Sequence, residues 1–295
     1  MSTQAISTSR STRRSTLTSP DARRHLGRGV IRTLVILYVL TVVYPVLFVI
    51  LTSLKSTTEF YRNIWGWPQV VAWSNFTEAW TTGGIGSAFV NSAIVVASSL
   101  VFILLFSGVA AYALARLVPK SDLITLIILA STFIPGELVL VPEFLMASKL
   151  QIVGTDLGLI VSYIGWALPI TIFIMRGFIL TIPMDLIEAA RIDGAGEIRI
   201  FFTVIVPLML PAIATTGIFN FVGLWGELLW AIIVLSTQST VRTLPFAIVE
   251  FQGQFGTNWG PLSAAICIVI IPLVVVFIFL QKYFIRGLTD AAVKG

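Results

Sequence analysis

The chain has 295 residues, of which 57% are hydrophobic and only 11% charged, a balance outside the range of soluble globular domains and typical of a polytopic membrane protein. Its net charge of +5 does not mark a nucleic-acid binder, because the basic residues are spread along the chain and not gathered on a folded domain of their own. The single cysteine, Cys267, sits in an apolar run, which excludes an intrachain disulfide and reads as a small core residue.

Residues 1–28 are rich in Ser, Thr and Arg and nearly free of large apolar side chains, so they are expected to form a disordered tail. The apolar run that follows is too long for a signal-peptide core and lacks a small-residue cleavage site, so Arg13-Arg14 does not read as an export signal. Residues 29–295 are expected to fold as one all-α bundle of six transmembrane helices. Six segments reach the length of about 20 apolar residues that crosses a bilayer. They lie near 33–54, 88–115, 123–147, 157–180, 205–235 and 261–281, and the fifth is long enough to be bent, tilted or broken.

Six crossings put both termini on one side. Fifteen of the nineteen Lys and Arg fall there, against Lys55, Arg62, Lys149 and Arg242 on the other side. The positive-inside rule then makes the termini cytoplasmic, with the tail arginines within reach of anionic lipid.

The outer loop 55–87 carries Trp65, Trp67, Trp73 and Trp80, which read as interfacial anchors, with a docking face for an extracytoplasmic protein as the alternative. In the third span, Pro135-Gly136-Glu137 should break the helix, and a carboxylate at that depth must face protein or water. Glu137 therefore stands between a place on a substrate path and a place near the outer surface, while Glu143 reads as interfacial. Trp166 and Pro169 in the fourth span read as a kink. In the fifth, Thr215, Thr216 and Asn220 recur at helical spacing near mid-membrane, followed by Trp225 and Glu227. Such groups suit a sugar, which needs hydroxyl and amide partners and aromatic faces. They equally suit hydrogen bonding between helices.

The polar stretch 183–203 interrupts two very apolar regions. Pro183 and Asp185 favour a helix start, Gly194 a stop, and Leu186, Ile187, Ala189 and Ala190 are expected on one side of a short helix lying across the membrane face. A second short amphipathic piece follows from Ala195 to Thr203, so the two together form a docking knob. Residues 282–295 form a basic tail.

Glu188, Ala189, Ala190 and Gly194, followed by Val204 and Val206-Pro207, resemble the EAA loop of permease subunits of bacterial ATP-binding cassette importers of type I. Asn91-Ser92 resembles that family's usual entry into the second span, while Phe221 to Leu229, Asn258-Trp259-Gly260 and the run from Gln281 to Gly295 resemble its carbohydrate-uptake branch, the last two in particular the second permease typified by the maltose system. That branch usually has Trp-Asn-Glu where Trp225-Gly226-Glu227 stands here. The resemblance implies that 183–203 is a coupling loop seated on an ATPase, with Glu188 pairing to a basic residue of that subunit. It also implies a second contact through Lys294 and Gly295, while Glu137, Thr216, Asn220, Trp225 and Glu227 are candidates for a substrate path on their residue types and positions.

The implied assembly is a heterodimer with a different permease, two ATPase subunits that bind ATP and Mg, and an extracytoplasmic sugar-binding protein, in the bacterial inner membrane. The chain itself carries no GxxxxGK[ST] phosphate loop. Its one histidine, His25, lies in the tail, away from any catalytic or metal-binding set. It reads as a transport subunit and not an enzyme, binding no cofactor or metal of its own. The alternatives are a secondary transporter using intramembrane carboxylates and a membrane assembly subunit without transport.

Overall fold

The computed structural model describes residues 20–235, 241–255 and 258–292, and among these every regular element is helical. Helix α1 spans Pro20–Ser53. It begins inside the stretch 1–28 that composition assigns to a disordered tail, while residues 1–19 lie outside the described part.

Helices α2 (Thr57–Arg62) and α3 (Ser74–Trp80) fill the loop before α4 (Ile85–Tyr112), which ends in a π-turn at Ala113–Leu117. α5 (Ser121–Ala130) runs through a 3-10 turn and meets α6 (Gly136–Lys149) at a bend of 94°. The break expected at Pro135 is present: its ψ of 128° leaves the helical region. α7 (Asp156–Ile179) is continuous through Pro169.

Next come the two short helices α8 (Met184–Ile192) and α9 (Glu197–Ile200), then a π-turn at Phe201–Ile205 and the single turn α10 (Val206–Leu208). α11 (Leu210–Trp225) departs from that direction by 76°. α12 (Leu229–Leu235), α13 (Leu244–Phe255) and α14 (Trp259–Ala292) complete the chain.

The fifth span, expected over 205–235, is therefore broken at Met209 and again at Gly226. Its last part, α12, is a separate short helix, and α13 is an element that hydrophobicity did not isolate. α14 carries the helix through 282–292, so the tail expected from residue 282 is helical in its described part, while Lys294 and Gly295 lie outside the described residues. By length and composition four helices can cross a membrane, and six crossings result if each bent pair counts as one.

The centre of the bundle is α4 lying along α7, with α11 packed on both and on α14. Buried Ser99, Ser107, Gly108 and Ala111 let α4 approach its neighbours closely, since small side chains bring backbones together where lipid supplies no hydrophobic drive. At one end of α4, Tyr112 joins Met175, Ile179, Ile187, Ile200 and Ile205 in a core cluster.

At the other end, Lys55 is buried and donates to the carbonyls of Asn63 and Ile64 at 2.8 and 2.9 Å, closing the end of α2. Burial pushes its amine below the ordinary lysine range, with Glu59 opposing. Asn75 donates to the carbonyls of Ser53 and Lys55, both at 2.8 Å. Asn258 bonds Thr57, and Trp259 packs on Phe60 with ring centres 5.7 Å apart. Gly260 sits so close that a Cβ would lie 2.6 Å from the Lys55 carbonyl. Nearby, the Ser92 hydroxyl accepts the Leu244 amide at 2.8 Å, and Arg242 pairs with Glu250 at 2.5 Å. Two of the four basic residues counted outside thus serve the fold.

Candidate functional site

The α8 to α9 segment forms a projecting knob on a rigid base. α8 ends as its sequence demands. Gly194 takes φ +78°, and the amides of Gly194 and Ala195 return to the carbonyls of Arg191 and Ala190, both at 3.0 Å. This is the Schellman closure, which needs a left-handed residue at that point.

The side expected to be uniformly apolar is divided. Ile187 is fully buried and Ala190 packs against the same core, whereas Leu186 and Ala189 face outward beside Glu188. The reason is the period of 3.6: positions 187 and 190 point one way, and 186 and 189 a turn-fraction away. Ala190 consequently supports α8 from below, and Ala189 is the alanine on the outer face. Ile192 and Ile198, 86% and 78% exposed, extend that face across both short helices. Exposed isoleucines around a carboxylate on a firm support are a docking surface in chemical terms.

Polar ties fasten the knob. Arg191 pairs with Glu197 at 2.8 Å, and Tyr112 at the end of α4 donates to the other Glu197 oxygen at 2.5 Å. The bond to Glu197 raises the Arg191 guanidinium above its ordinary pKa, keeping it charged. Arg116 donates to the carbonyls of Ile179 and Ile182 at 2.7 and 2.5 Å, capping α7 where the chain turns into α8. Arg176 reaches Ser121 and Asp122, at 3.0 and 2.5 Å. Charge counting alone reads Arg116, Arg176 and Arg191 as topological signals. In the structure they are struts, and only their positions at the ends of apolar runs hint at it.

A second feature lies within the span region. A cleft of about 690 Å³ opens between the α5 to α6 break, α7 and the start of α12, lined in part by Ser131, Thr132, Glu137, Trp166 and Glu227. A neighbouring cavity of about 560 Å³ shares Trp166 and Phe219 with it and reaches Asn220. Glu137 and Glu227 are thereby brought together on one cleft.

Glu227 is already engaged. Its carboxylate accepts from the Tyr163 hydroxyl at 2.7 Å and from the amides of Trp230 and Ala231 at 2.8 and 3.1 Å, capping α12. Thr216 is buried and its hydroxyl bonds back to Ala212, while Asn220 donates to Thr171 of α7 at 3.0 Å. Trp225 stands apart from the cleft: it is buried, stacks on Phe221, and donates to the Val269 carbonyl of α14 at 3.0 Å. Its indole needs that partner in an apolar interior, so it ties two helices together. Glu143, expected at the interface, accepts from the Trp166 indole of α7 at 3.1 Å. Among the described residues no set of three His, Cys, Asp or Glu gathers to hold a metal.

Residues 81–290 match the family described as "Binding-protein-dependent transport system inner membrane component". The chain is 38% identical to the melibiose/raffinose/stachyose import permease protein MelC of Bacillus subtilis, over 85% of this chain and 91% of that one. It is 36% identical to the diacetylchitobiose uptake system permease protein NgcG of Streptomyces coelicolor, over 84% and 83% of the two chains. The arabinooligosaccharides transport system permease protein AraQ of Halalkalibacterium halodurans is also 36% identical, over 86% and 91%. Among solved structures, a chain of a bacterial ABC transporter involved in import of the acidic polysaccharide alginate superposes with a TM-score of 0.75 at 23% identity, over 91% of this chain and 99% of that one, a likeness of fold. With most of its length matched, helices that can cross a membrane and a knob between two of them, the chain belongs to the family of inner-membrane permease components of binding-protein-dependent transport systems.

Proposed function

We propose that this chain is one of two unlike permease subunits of an ATP-driven sugar importer, forming half of the translocation path. It works with an extracytoplasmic sugar-binding protein and a pair of ATPase subunits that hold ATP and Mg. The observation that carries this reading is the knob: Glu188, Ala189 and Ile192 stand exposed on α8, while Ile187 and Ala190 anchor the same helix to α4 and α7. A surface so firmly backed transmits a push or pull into the bundle. Relatives named for uptake of melibiose, raffinose, diacetylchitobiose and arabino-oligosaccharides support a sugar as cargo.

The excess of basic residues around the knob and at the termini supports a cytoplasmic placement of that end, on the side where ATP is found. Closure of the ATPase pair draws α8 inward, and the bundle turns the path to face outward and receive sugar; hydrolysis reverses it. Glu188 meets a basic residue of the ATPase, Ala189 permits close approach, and Gly194 fixes the angle between the two short helices. Both Glu227 oxygens are committed to Tyr163 and to capping α12, which leaves Glu137 as the one cleft carboxylate that a secondary transporter would have for a coupling ion.

The test is co-purification of the full chain and its second permease with the ATPase, followed by ATP hydrolysis in lipid with and without binding protein. Glu188→Arg is expected to lose association or stimulated hydrolysis. A variant complex that assembles and transports as the wild type does would overturn the coupling role of α8.

A further inference from the structure

From the geometry of the cleft we propose that Trp166 is a sugar-stacking platform on this chain's side of the path, positioned by Glu143, in a cleft built for neutral sugars. The proposal rests on the importer reading given above.

Trp166 lies ten residues into the 24-residue α7, about 15 Å along a helix that rises about 1.5 Å per residue, and so near the middle of a hydrocarbon core of about 30 Å. Membrane tryptophans favour the two interfaces, and this one stands far from either. It is also held. Tyr163 and Trp230, both fully buried, back it with ring centres 5.8 and 5.9 Å away, and the Glu143 carboxylate fixes its N–H. With the indole fixed by three partners, 38% of the residue still faces open space, and it lines both cavities. A rigid, partly open aromatic face is what the C–H side of a sugar ring packs against.

The polar groups around it select the same ligand. Ser131 and Thr132 each spend their hydroxyl proton on a backbone carbonyl, at 2.7 Å in both cases, which leaves oxygen lone pairs directed to other donors. Glu137 adds a carboxylate on the cleft wall, and among the described residues lining the cleft there is no Lys or Arg. The polar groups of this mainly apolar lining are therefore acceptors, hydroxyl and carboxyl oxygens, with no cation among them. It suits a molecule dense in hydroxyl donors and without charge, and it repels uronates or sugar phosphates. In this scheme Glu143 touches no sugar and acts only through the indole it holds.

The experiment uses the whole importer in liposomes and reads sugar accumulated per ATP hydrolysed, with raffinose, diacetylchitobiose and an arabino-oligosaccharide as probes. Trp166→Leu fills the space without a flat face, and the ratio should fall roughly five- to ten-fold while binding-protein-stimulated hydrolysis persists. Trp166→Phe, which keeps a ring but loses the N–H that Glu143 holds, should fall only as far as Glu143→Leu does and stay well above Trp166→Leu. Glu143→Leu should lower the ratio in the wild-type background and add nothing in Trp166→Phe, where the N–H it holds is gone. A wild-type ratio in Trp166→Leu overturns the platform. So does a Trp166→Leu complex that hydrolyses no ATP, because the ring would then serve the bundle. If the wild-type complex accumulates none of the probes and its hydrolysis ignores the binding protein, the importer reading itself fails.

Discussion

Arg191 and Glu197 face each other at 2.8 Å across the Gly194 turn, and the same carboxylate receives the Tyr112 hydroxyl from the end of α4. The knob is thus latched to the bundle by a three-membered polar chain as well as by Ile187 and Ile200. Both members of the ion pair are more than one-third exposed at the side chain, so its contribution to stability is small, below about 1 kcal/mol. Its contribution to transmission is larger. Arg191→Ala should leave the melting temperature nearly unchanged yet lower stimulated ATP hydrolysis about ten-fold, the scale of a modest coupling energy. Tyr112→Phe combined with it should be less than additive; full additivity in a double-mutant cycle would show that the three groups do not act as one latch.

Gly194 at φ +78° has nothing within 4 Å of where a Cβ would be, so any penalty there is purely backbone. Gly194→Ala should cost about 1 kcal/mol in the local turn and misdirect α9, with stimulated hydrolysis reduced. Gly194→Asn, whose side chain tolerates the left-handed region, should recover most of the loss. Equal activity of the two variants would mean that the angle between α8 and α9 does not matter.

Gly260 is governed by space. A methyl there would meet the Lys55 carbonyl at 2.6 Å and the Asn75 amide nitrogen at 2.7 Å, both parts of a bonded node that cannot yield cheaply. Gly260→Ala should destabilise the chain by about 1–3 kcal/mol, read as a lower melting temperature and lower yield. Complex that does survive purification should hydrolyse ATP normally, since the knob is at the other end of α4.

Asn220→Leu removes the bond to Thr171 that joins α11 to α7. Such bonds between membrane helices are worth about 0.6–2 kcal/mol, so thermal stability should fall by that scale. Choice among sugars should be unaltered if Asn220 is a strut, and a changed preference among the three probes would move it to the path.

Much of this architecture is legible in the chain itself, because bilayer thickness sets span length, Pro135 disfavours a continued helix and Gly194 suits a helix stop. The polar stretch 183–203 stands out for the same reason: it is too charged to be buried in lipid. What periodicity could not show is which of two plausible faces of α8 turns inward, since Leu186, Ile187, Ala189 and Ala190 are all apolar and only contact with Met175 and Ile179 decides. Nor could it pair Glu143 with Trp166. They are 23 residues apart, on α6 and α7, with the connection at 150–155 between them, and nothing local links them. Arg116 likewise resembles a surface charge until the carbonyls of Ile179 and Ile182 appear beside it.

The node at Lys55, Asn75 and Gly260 also bears on biogenesis. Its members lie about 200 residues apart, and the bonds of Asn258 and the packing of Trp259 arrive only with the last helix. During synthesis the earlier helices must therefore sit in the membrane with this end unfastened, and contacts of such separation form late. The chain becomes able to hold its far end together only when translation is nearly finished, so a nascent chain cut short before residue 258 would be left open there and exposed to membrane proteolysis.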